Sequence, residues 1–196
     1  LRAFAERARE GGDAGLWVEV AVLAAELGRW DEVDAAGANA FQHTFDFNRH
    51  EVCSHRVRAL HELGRDDEAL EVLRAALSES FSKGDASCFV GIPWHAEREA
   101  GDLARQGAQS VFEARCFAVV TELAPENADA WKWRGTIGPR AGRIAALEHV
   151  VAQCTEAETR KNEDGEPAHE EWELEVFADR KREAVSALEE ARAEAG

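Results

Sequence analysis

The chain has 196 residues, of which 45% are hydrophobic, enough to bury a substantial apolar core. Its formal net charge of -16 disfavours nucleic acids and anionic membrane surfaces as partners, because binding to polyanions requires a basic stripe on the protein. No apolar run approaches the roughly 18 residues of a membrane span and no signal-peptide core opens the chain, so we expect a cytoplasmic protein.

The most informative motif is a hexapeptide that occurs twice. Leu27–Glu32 reads LGRWDE, and it returns 36 residues later as Leu63–Glu68, LGRDDE, with a single difference. Each copy lies between two segments of helical periodicity. Repetition at such a period indicates a supersecondary unit that is duplicated and stacked, because one pair of helices cannot bury its apolar face alone. The motif therefore predicts an array of helical hairpins.

The glycine of the hexapeptide predicts where the turns of these hairpins lie. Gly28 and Gly64 are followed, at intervals of 44 and 34 residues, by Ala108 and Gly142 in the same register. We expect the three glycines to end the first helix of their hairpins in a left-handed cap, where a residue without a β-carbon is strained least. The acidic residues after Gly28 and Gly64 place negative charge in the first turn of each second helix.

Aligned on these turns, the chain resembles the tetratricopeptide repeat (TPR) family, whose pattern places large and small residues at fixed positions of two paired helices. The matching positions are Trp17, Val20, Ala21, Ala24, Val33, Gly37 and Phe45 in the first repeat, Cys53, Val57, Leu60, Ala69, Leu73 and Phe81 in the second, Gly101, Phe117 and Pro125 in the third, and Trp131, Gly135, Leu147 and Val151 in the fourth. The resemblance implies an all-α fold, a right-handed superhelix of about four helix-turn-helix repeats and a C-terminal capping helix, in one domain spanning residues 1–196. The implied repeats are 14–47, 50–83, 94–127 and 128–158.

The matching residues also have a physical reason. Trp17 and Trp131 are expected to fill the space between the two helices of their hairpins. Ala21, Gly101 and Gly135 follow one turn later, and a small residue there lets the second helix approach closely. A glycine inside a helix destabilises it by about 1 kcal/mol, so such a packing role is needed to explain it.

Two segments depart from the repeat. The 44-residue interval exceeds the 34-residue one by ten, which places an insertion within residues 78–92. Its apolar residues Phe89, Val90 and Ile92 either form a binding loop or cover the end of the second repeat. The charged segment Thr155–Glu171 is predicted to be an exposed connector.

A long amphipathic helix is predicted for residues 167–195, with Pro167 in its first turn. Its stripe consists of Leu174, Phe177, Ala178, Lys181, Ala184, Val185, Leu188 and Ala191. We expect this helix to cap the last repeat, since a terminal repeat needs a cover with one polar side. The alternative is that the stripe binds another chain.

The resemblance implies that a partner binds the concave face, which is lined mainly by the first helix of each hairpin. The basic residues that the family's register places there are Arg58, His61, His95, Arg98, Arg105, Lys132 and Arg140. The same register places five acidic residues there, namely Glu26, Glu51, Glu62, Asp102 and Asp129, which balance the five Arg and Lys. For a chain at -16 a neutral groove with two histidines is relatively electropositive, which favours a protein or peptide partner with an acidic or carboxylate-ending segment. The alternative is that these side chains are solvated and paired with one another.

The carboxylate clamp of chaperone-binding family members is not reproduced. Its Lys and Asn positions in the first repeat are occupied by Val18 and Val22. We therefore do not expect this groove to bind a chaperone tail.

Nothing in the sequence indicates catalysis, a cofactor or a complete metal site, so we expect a non-catalytic scaffold. His50 and Cys53, spaced i, i+3, could present two metal ligands, but no third or fourth ligand is indicated. Asn127, Trp131 and Arg134 resemble the repeat of protein prenyltransferase α subunits, in a single copy.

The four cysteines lie 28 or more residues apart and are expected to be reduced. Cys53, Cys116 and Cys154 fall at packing positions of helices, where a thiol behaves as a small apolar group. Cys88 falls in a predicted loop and is the one expected to react.

Two other functions stay open. Because residue 1 is Leu, we expect the chain to be a fragment or a processed product, which is compatible with an accessory or regulatory domain of a larger enzyme. A self-associating structural element is the other possibility, through the final helix or the loop that contains Phe89.

Overall fold

The computed structural model describes residues 2–11, 14–43, 47–78 and 108–194, and within them the chain is all-helical. The nine helices of this part are α1 (Arg2–Gly11), α2 (Ala14–Glu26), α3 (Trp30–His43), α4 (Phe47–Glu62), α5 (Asp66–Ser78), α6 (Ala108–Leu123), α7 (Ala128–Thr136), α8 (Arg140–Thr159) and α9 (Glu171–Ala193). None of these nine helices combines the length and the apolar character needed to cross a bilayer. Residues 79–92 of the predicted insertion, which include Cys88, and the first helix of the third repeat lie outside the described residues.

The chain divides into two compact units, Leu1–Pro125 and Glu126–Gly196. In the first unit, each of the helices α1 to α6 packs on the next one described, and α2 also packs on α4. Two hairpins, α2–α3 and α4–α5, therefore stack with their first helices in contact. This is the local arrangement that the repeated hexapeptide predicts.

The turns of these two hairpins have the same geometry. Gly28 and Gly64 adopt φ values of +65° and +72°, which confirms the two predicted left-handed caps. In each turn the glycine N–H bonds to the carbonyl three residues earlier, and the following Arg29 or Arg65 N–H bonds to the carbonyl five residues earlier, at 2.7 to 3.0 Å. This pair of bonds is the Schellman motif, which satisfies carbonyl groups that the helix end leaves open.

The predicted acidic first turns are also confirmed. Helix α3 carries Asp31 and Glu32 in its first turn, and α5 carries Asp66, Asp67 and Glu68 there. These carboxylates face the positive end of the helix dipole, where negative charge is stabilising.

Two predicted turn positions are wrong. Gly142 lies inside the first turn of α8, and the residue with positive φ in that turn is Gly138, at +89°. The turn comes four residues earlier because Pro139, with φ of -62°, is the N-cap of α8 and directly follows Gly138. Ala108 is likewise not a turn residue, since it is the first residue of α6.

The core of the first unit contains the aromatic and small residues expected of the first repeat. Trp17, Val20, Ala21 and Ala24 of α2 are buried together with Val33 of α3. Helix α1 adds Ala8 to the same cluster, so α1 also covers part of α2.

The second unit is a three-helix assembly in which α7 and α9 both pack on α8. Its apolar cluster joins Leu147, Val150 and Cys154 of α8 to three residues of α9. These are Ala184, Leu188 and Ala191. Gly135 of α7 has the predicted close-approach role, because a β-carbon there would lie 2.6 Å from Cδ2 of Leu147.

The final helix begins later than predicted. Pro167 forms an isolated β-bridge with Lys161, and α9 begins at Glu171 after a capping box between Glu170 and Glu173. The side-chain oxygen of Asn162 accepts hydrogen bonds from backbone N–H groups inside this turn, which holds Pro167 away from the helix. The connector is shorter than predicted too, since α8 continues through Thr159.

The apolar stripe of α9 packs on its own chain. Ala184, Leu188 and Ala191 are buried against α8, whereas Val185 is 37% exposed and lies outside the contact. The stripe is therefore largely used within the second unit, as a covering helix requires.

Candidate functional site

Four of the seven predicted groove residues lie in the described part of the chain. Arg58 and His61 are on α4 in the first unit, and Lys132 and Arg140 are on α7 and α8 in the second. His95, Arg98 and Arg105 lie outside the described residues. The structure thus places the predicted residues in two local settings.

Arg58 is half-buried beside an aromatic ring. Its guanidinium carbon lies 5.6 Å from the ring centroid of Trp30, the first residue of α3, in a cation–π contact. Trp30 therefore helps to fix the position of the Arg58 guanidinium.

His61 lies in the last turn of α4 and contacts two side chains from other helices. Its Nδ1 lies 2.8 Å from Oδ1 of Asp66, and its ring stacks on Phe112 of α6 with centroids 4.3 Å apart and planes at 12°. Arg115 extends the polar contacts, since it donates to Asp67 at 2.6 Å and lies 3.5 Å from Asp66. These contacts join α4, α5 and α6 at one edge of the first unit.

A second polar cluster fixes the two hairpins to each other. Asp34 of α3 accepts hydrogen bonds from Arg56 Nε and Arg65 Nη1, each at 3.0 Å. Arg65 also donates to Glu68, and this hydrogen bond is the main reason why the pKa of Glu68 is lowered. Gly37 makes room for the cluster, because a β-carbon there would lie 2.2 Å from Cγ of Arg56.

In the second unit, Lys132 and Arg140 both hold α9. Lys132 donates to Glu183 at 2.8 Å, and this hydrogen bond lowers the pKa of Glu183. Arg140 donates from Nε to the carbonyl of Ala191 and from Nη2 to that of Arg192, both at 2.7 Å. Arg140 thereby caps the C-terminal end of α9, where a cation is favoured by the helix dipole.

The two valines at the clamp positions form an apolar part of α2. Val18 and Val22 are both half-buried, and Val18 packs against the core of the first unit. Neither side chain can donate a hydrogen bond to a carboxylate.

The Cys53 thiol is placed as a core group. Cys53 is fully buried with its sulfur 4.0 Å from the carbonyl of Val72, and burial raises its pKa to about 12. Cys53 therefore packs as a small apolar group of the helix interface, as its register position predicts. In the part of the chain that the structure describes, no cluster of three His, Cys, Asp or Glu side chains is arranged to hold a metal ion.

The three residues that resemble a prenyltransferase repeat have local structural roles. Asn127 is the N-cap of α7 and accepts a hydrogen bond from the Ala130 N–H at 2.9 Å. The guanidinium carbon of Arg134 lies 5.2 Å from the ring centroid of Trp131, one turn earlier on the same helix.

The sequence did not single out several residues that organise these sites. Arg115 and Asp34 meet partners that are 22 to 49 positions away in the chain, so no local spacing indicates them. In the sequence, the only feature that distinguishes Trp30 is that it occupies the position at which the two hexapeptides differ.

A scan against models of known protein families finds no match, and no curated protein sequence shows significant similarity to the chain.

Proposed function

We propose that this protein is a TPR-like helical-repeat scaffold that binds an acidic protein or peptide segment and performs no catalysis. The observation that carries the proposal is the contact between α2 and α4, the first helices of two hairpins that have the same Schellman turn between their helices. Hairpins stacked in this way present their first helices side by side as one extended surface. Such surfaces serve as binding faces in helical-repeat proteins.

The preference for an acidic segment rests on α4. Arg58 and His61 are one turn apart, and each is already oriented, by Trp30 in one case and by Asp66 and Phe112 in the other. Preorganised side chains lose less conformational entropy when they bind a ligand. The proposal extends this surface to the predicted groove residues His95, Arg98 and Arg105, whereas Lys132 and Arg140 are assigned to holding α9.

The proposal is tested by fluorescence polarisation with two labelled decapeptides, one acidic and one in which every Asp and Glu is replaced by Asn or Gln. We expect the acidic peptide to bind about tenfold more tightly at low ionic strength, with the difference reduced as salt screens the charges. The double variant Arg98→Glu, Arg105→Glu should abolish the difference.

The matched control is Arg182→Glu, a charge reversal at a side chain of α9 that is 77% exposed. It should leave the preference for the acidic peptide intact. Equal binding of the two peptides, or an unchanged preference in the double variant, would contradict the groove assignment.

Self-association is a second candidate function, favoured by an exposed apolar pair on α9. Trp172 is 61% exposed and Val176, one turn later, is 48% exposed, away from the stripe that packs on α8. Light-scattering mass at increasing concentration should then exceed the monomer mass, and the double variant Trp172→Ser, Val176→Ser should restore it. A monomer at every concentration would rule this function out.

A further inference from the structure

The second unit contains a cleft of about 390 Å³ that none of the seven predicted groove residues lines. It lies between the start of α7, the last turns of α8 and the N-terminal half of α9, with His169 of the preceding connector at its edge. The volume is at the lower end of the range for small-molecule sites, which is about 300 to 1,000 Å³.

One wall of the cleft is apolar. It consists of Ala157, Phe177 and the Cys154 thiol, which is almost completely buried. His169 stands edge-on to Phe177 with ring centroids 5.0 Å apart, which fixes the phenyl ring in place. Burial raises the pKa of Cys154, so this wall is uncharged at neutral pH.

Two arginines also line the cleft, each three residues after an apolar residue of the wall. Arg180 donates from Nη2 to Asp129 at 2.8 Å, which uses one of the five N–H groups that an arginine carries. Arg160 is exposed at the C-terminal end of α8 and, among the residues that the structure describes, its side chain makes no ion pair. Two arginines beside an apolar wall can bind an anionic group and an attached apolar group together.

The acidic residues of the cleft limit the charge of its ligand. Glu126 and Glu156 also line it and Asp129 pairs with Arg180, so these three carboxylates exceed the two guanidinium groups by one formal charge. A dianion such as phosphate would be repelled by the glutamates and would leave the apolar wall uncovered. A ligand with one negative charge and a short apolar chain fits both parts.

The geometry points to a binding site for a small apolar monocarboxylate, with its carboxylate on Arg180 and Arg160 and its apolar chain against Phe177 and Cys154. A free short-chain acid and the last residue of a peptide share this chemistry. The inference does not depend on the groove of the first unit, and each site can fail without the other.

The test is a titration of the full-length, ¹⁵N-labelled chain followed by NMR. The probes are 4-methylpentanoate for a free acid, N-acetyl-leucine for a peptide end, N-acetyl-leucinamide as the uncharged match and inorganic phosphate as an anion without an apolar group. Either carboxylate should shift the amide signals of Ala157, Phe177 and Arg180, and the tighter of the two identifies the source. The amide and phosphate should bind about tenfold more weakly, as expected when a charge-assisted or an apolar contact is lost.

Three variants distinguish the loss of carboxylate recognition from the loss of the Arg180–Asp129 ion pair. Arg180→Gln and Asp129→Asn both break the same ion pair, but only the first removes the guanidinium from the cleft. We expect about tenfold weaker carboxylate binding for Arg180→Gln, unchanged or tighter binding for Asp129→Asn, and unchanged binding for Arg182→Gln. Equal affinity for N-acetyl-leucine and its amide, signals that shift elsewhere, or equal losses for Arg180→Gln and Asp129→Asn would overturn the inference.

Discussion

Gly28 and Gly64 have no atom within 4 Å of the position that a β-carbon would occupy, so only the backbone conformation requires glycine there. Gly135 has the opposite requirement, because its backbone is helical and the side chain of Leu147 fills the space beside it. The same residue type thus meets a conformational demand in the turns and a packing demand in α7. The sequence predicted both, since each demand depends on residues within a single hairpin.

The conformational demand predicts the effect of Gly64→Ala. We expect a loss of about 1 kcal/mol in the free energy of unfolding, because an L-residue is strained at positive φ. Urea denaturation followed by circular dichroism measures it. The matched control is Gly142→Ala, inside α8 with equally open space around it, which should raise stability by about 0.5 kcal/mol through helix propensity. A loss at both positions, or at neither, would contradict this assignment.

At the scale of the element, α9 is attached by a cap and by side-chain ion pairs as well as by its apolar stripe. Arg140 caps its last turn, Lys132 pairs with Glu183 in its middle, and Arg143 pairs with Glu194 at its C-cap. Other ion pairs run the opposite way, since Arg180 and Lys181 of α9 donate to carboxylates of α7 and α8. The helix is therefore fixed in both rotation and axial position.

Arg140→Gln should loosen the end of α9. Two hydrogen bonds from a charged donor to helix carbonyls are lost, so we expect the second unit to be destabilised by about 1 to 2 kcal/mol. The increase in amide hydrogen exchange relative to wild type should be largest in the last two turns of α9. Arg182→Gln, on the exposed side of the same helix, should change neither quantity, and equal exchange rates in the two variants would refute the capping role.

Glu183→Gln should remove a stabilisation that depends on pH. The hydrogen bond from Lys132 lowers the folded-state pKa of Glu183 below the usual 4.5, so its stabilisation is complete above that value and is lost as the pH falls through the folded pKa. The stability difference between wild type and variant should therefore be largest near neutral pH and should approach zero in acid. Urea midpoints across this range measure it, with Glu175→Gln on the same helix as a control. A gap that persists unchanged in acid would argue against the ion pair.

The errors in predicting where α8 and α9 begin occur where two local sequence signals compete. Pro167 suits the first turn of a helix, but the capping box of Glu170 and Glu173 and the turn built on Asn162 start α9 later. Gly142 suits a helix end, but Gly138 followed by Pro139 makes the turn first. In both places two signals lay within a few residues, and the hydrogen bonds of the folded turn decide between them.

The candidate sites were less predictable than the helices. The repeat register predicted that Arg58 and His61 lie on the first helix of the second hairpin. Their partners Trp30 and Phe112 come from other helices, 28 and 51 positions away in the sequence. The cleft around Arg180 combines residues from α7, α8 and α9, so no spacing within one helix reveals it. Periodicity reports which face of a helix is buried, and it carries no information about which distant side chains meet.

At the scale of the whole molecule, the chain is organised as two compact units, Leu1–Pro125 and Glu126–Gly196. Each has an apolar cluster of its own, centred on Trp17 and Val33 in the first and on Leu147 and Leu188 in the second. A unit with its own core is expected to fold without the rest of the chain.

The second unit provides a direct test. A chain of residues 126–196 should be helical by circular dichroism and unfold cooperatively on heating, since its cluster joins α8 and α9 without residues from the first unit. Leu188→Asp in the same fragment should abolish the transition, because it places a charge in that cluster. An unstructured wild-type fragment would show that this unit depends on the first.

The position at which the two hexapeptides differ makes different contacts in the two hairpins. Trp30 and Asp66 occupy equivalent places after the two turns, yet one contacts Arg58 and the other contacts His61, both on α4. Arg58 belongs to the second hairpin, so Trp30 joins the first hairpin to the second, whereas Asp66 contacts a residue of its own hairpin. A first hairpin placed against the wrong neighbour would leave the indole of Trp30 without that guanidinium. A single substitution in an otherwise repeated turn thus penalises misalignment of the hairpins, to which repeat proteins are prone.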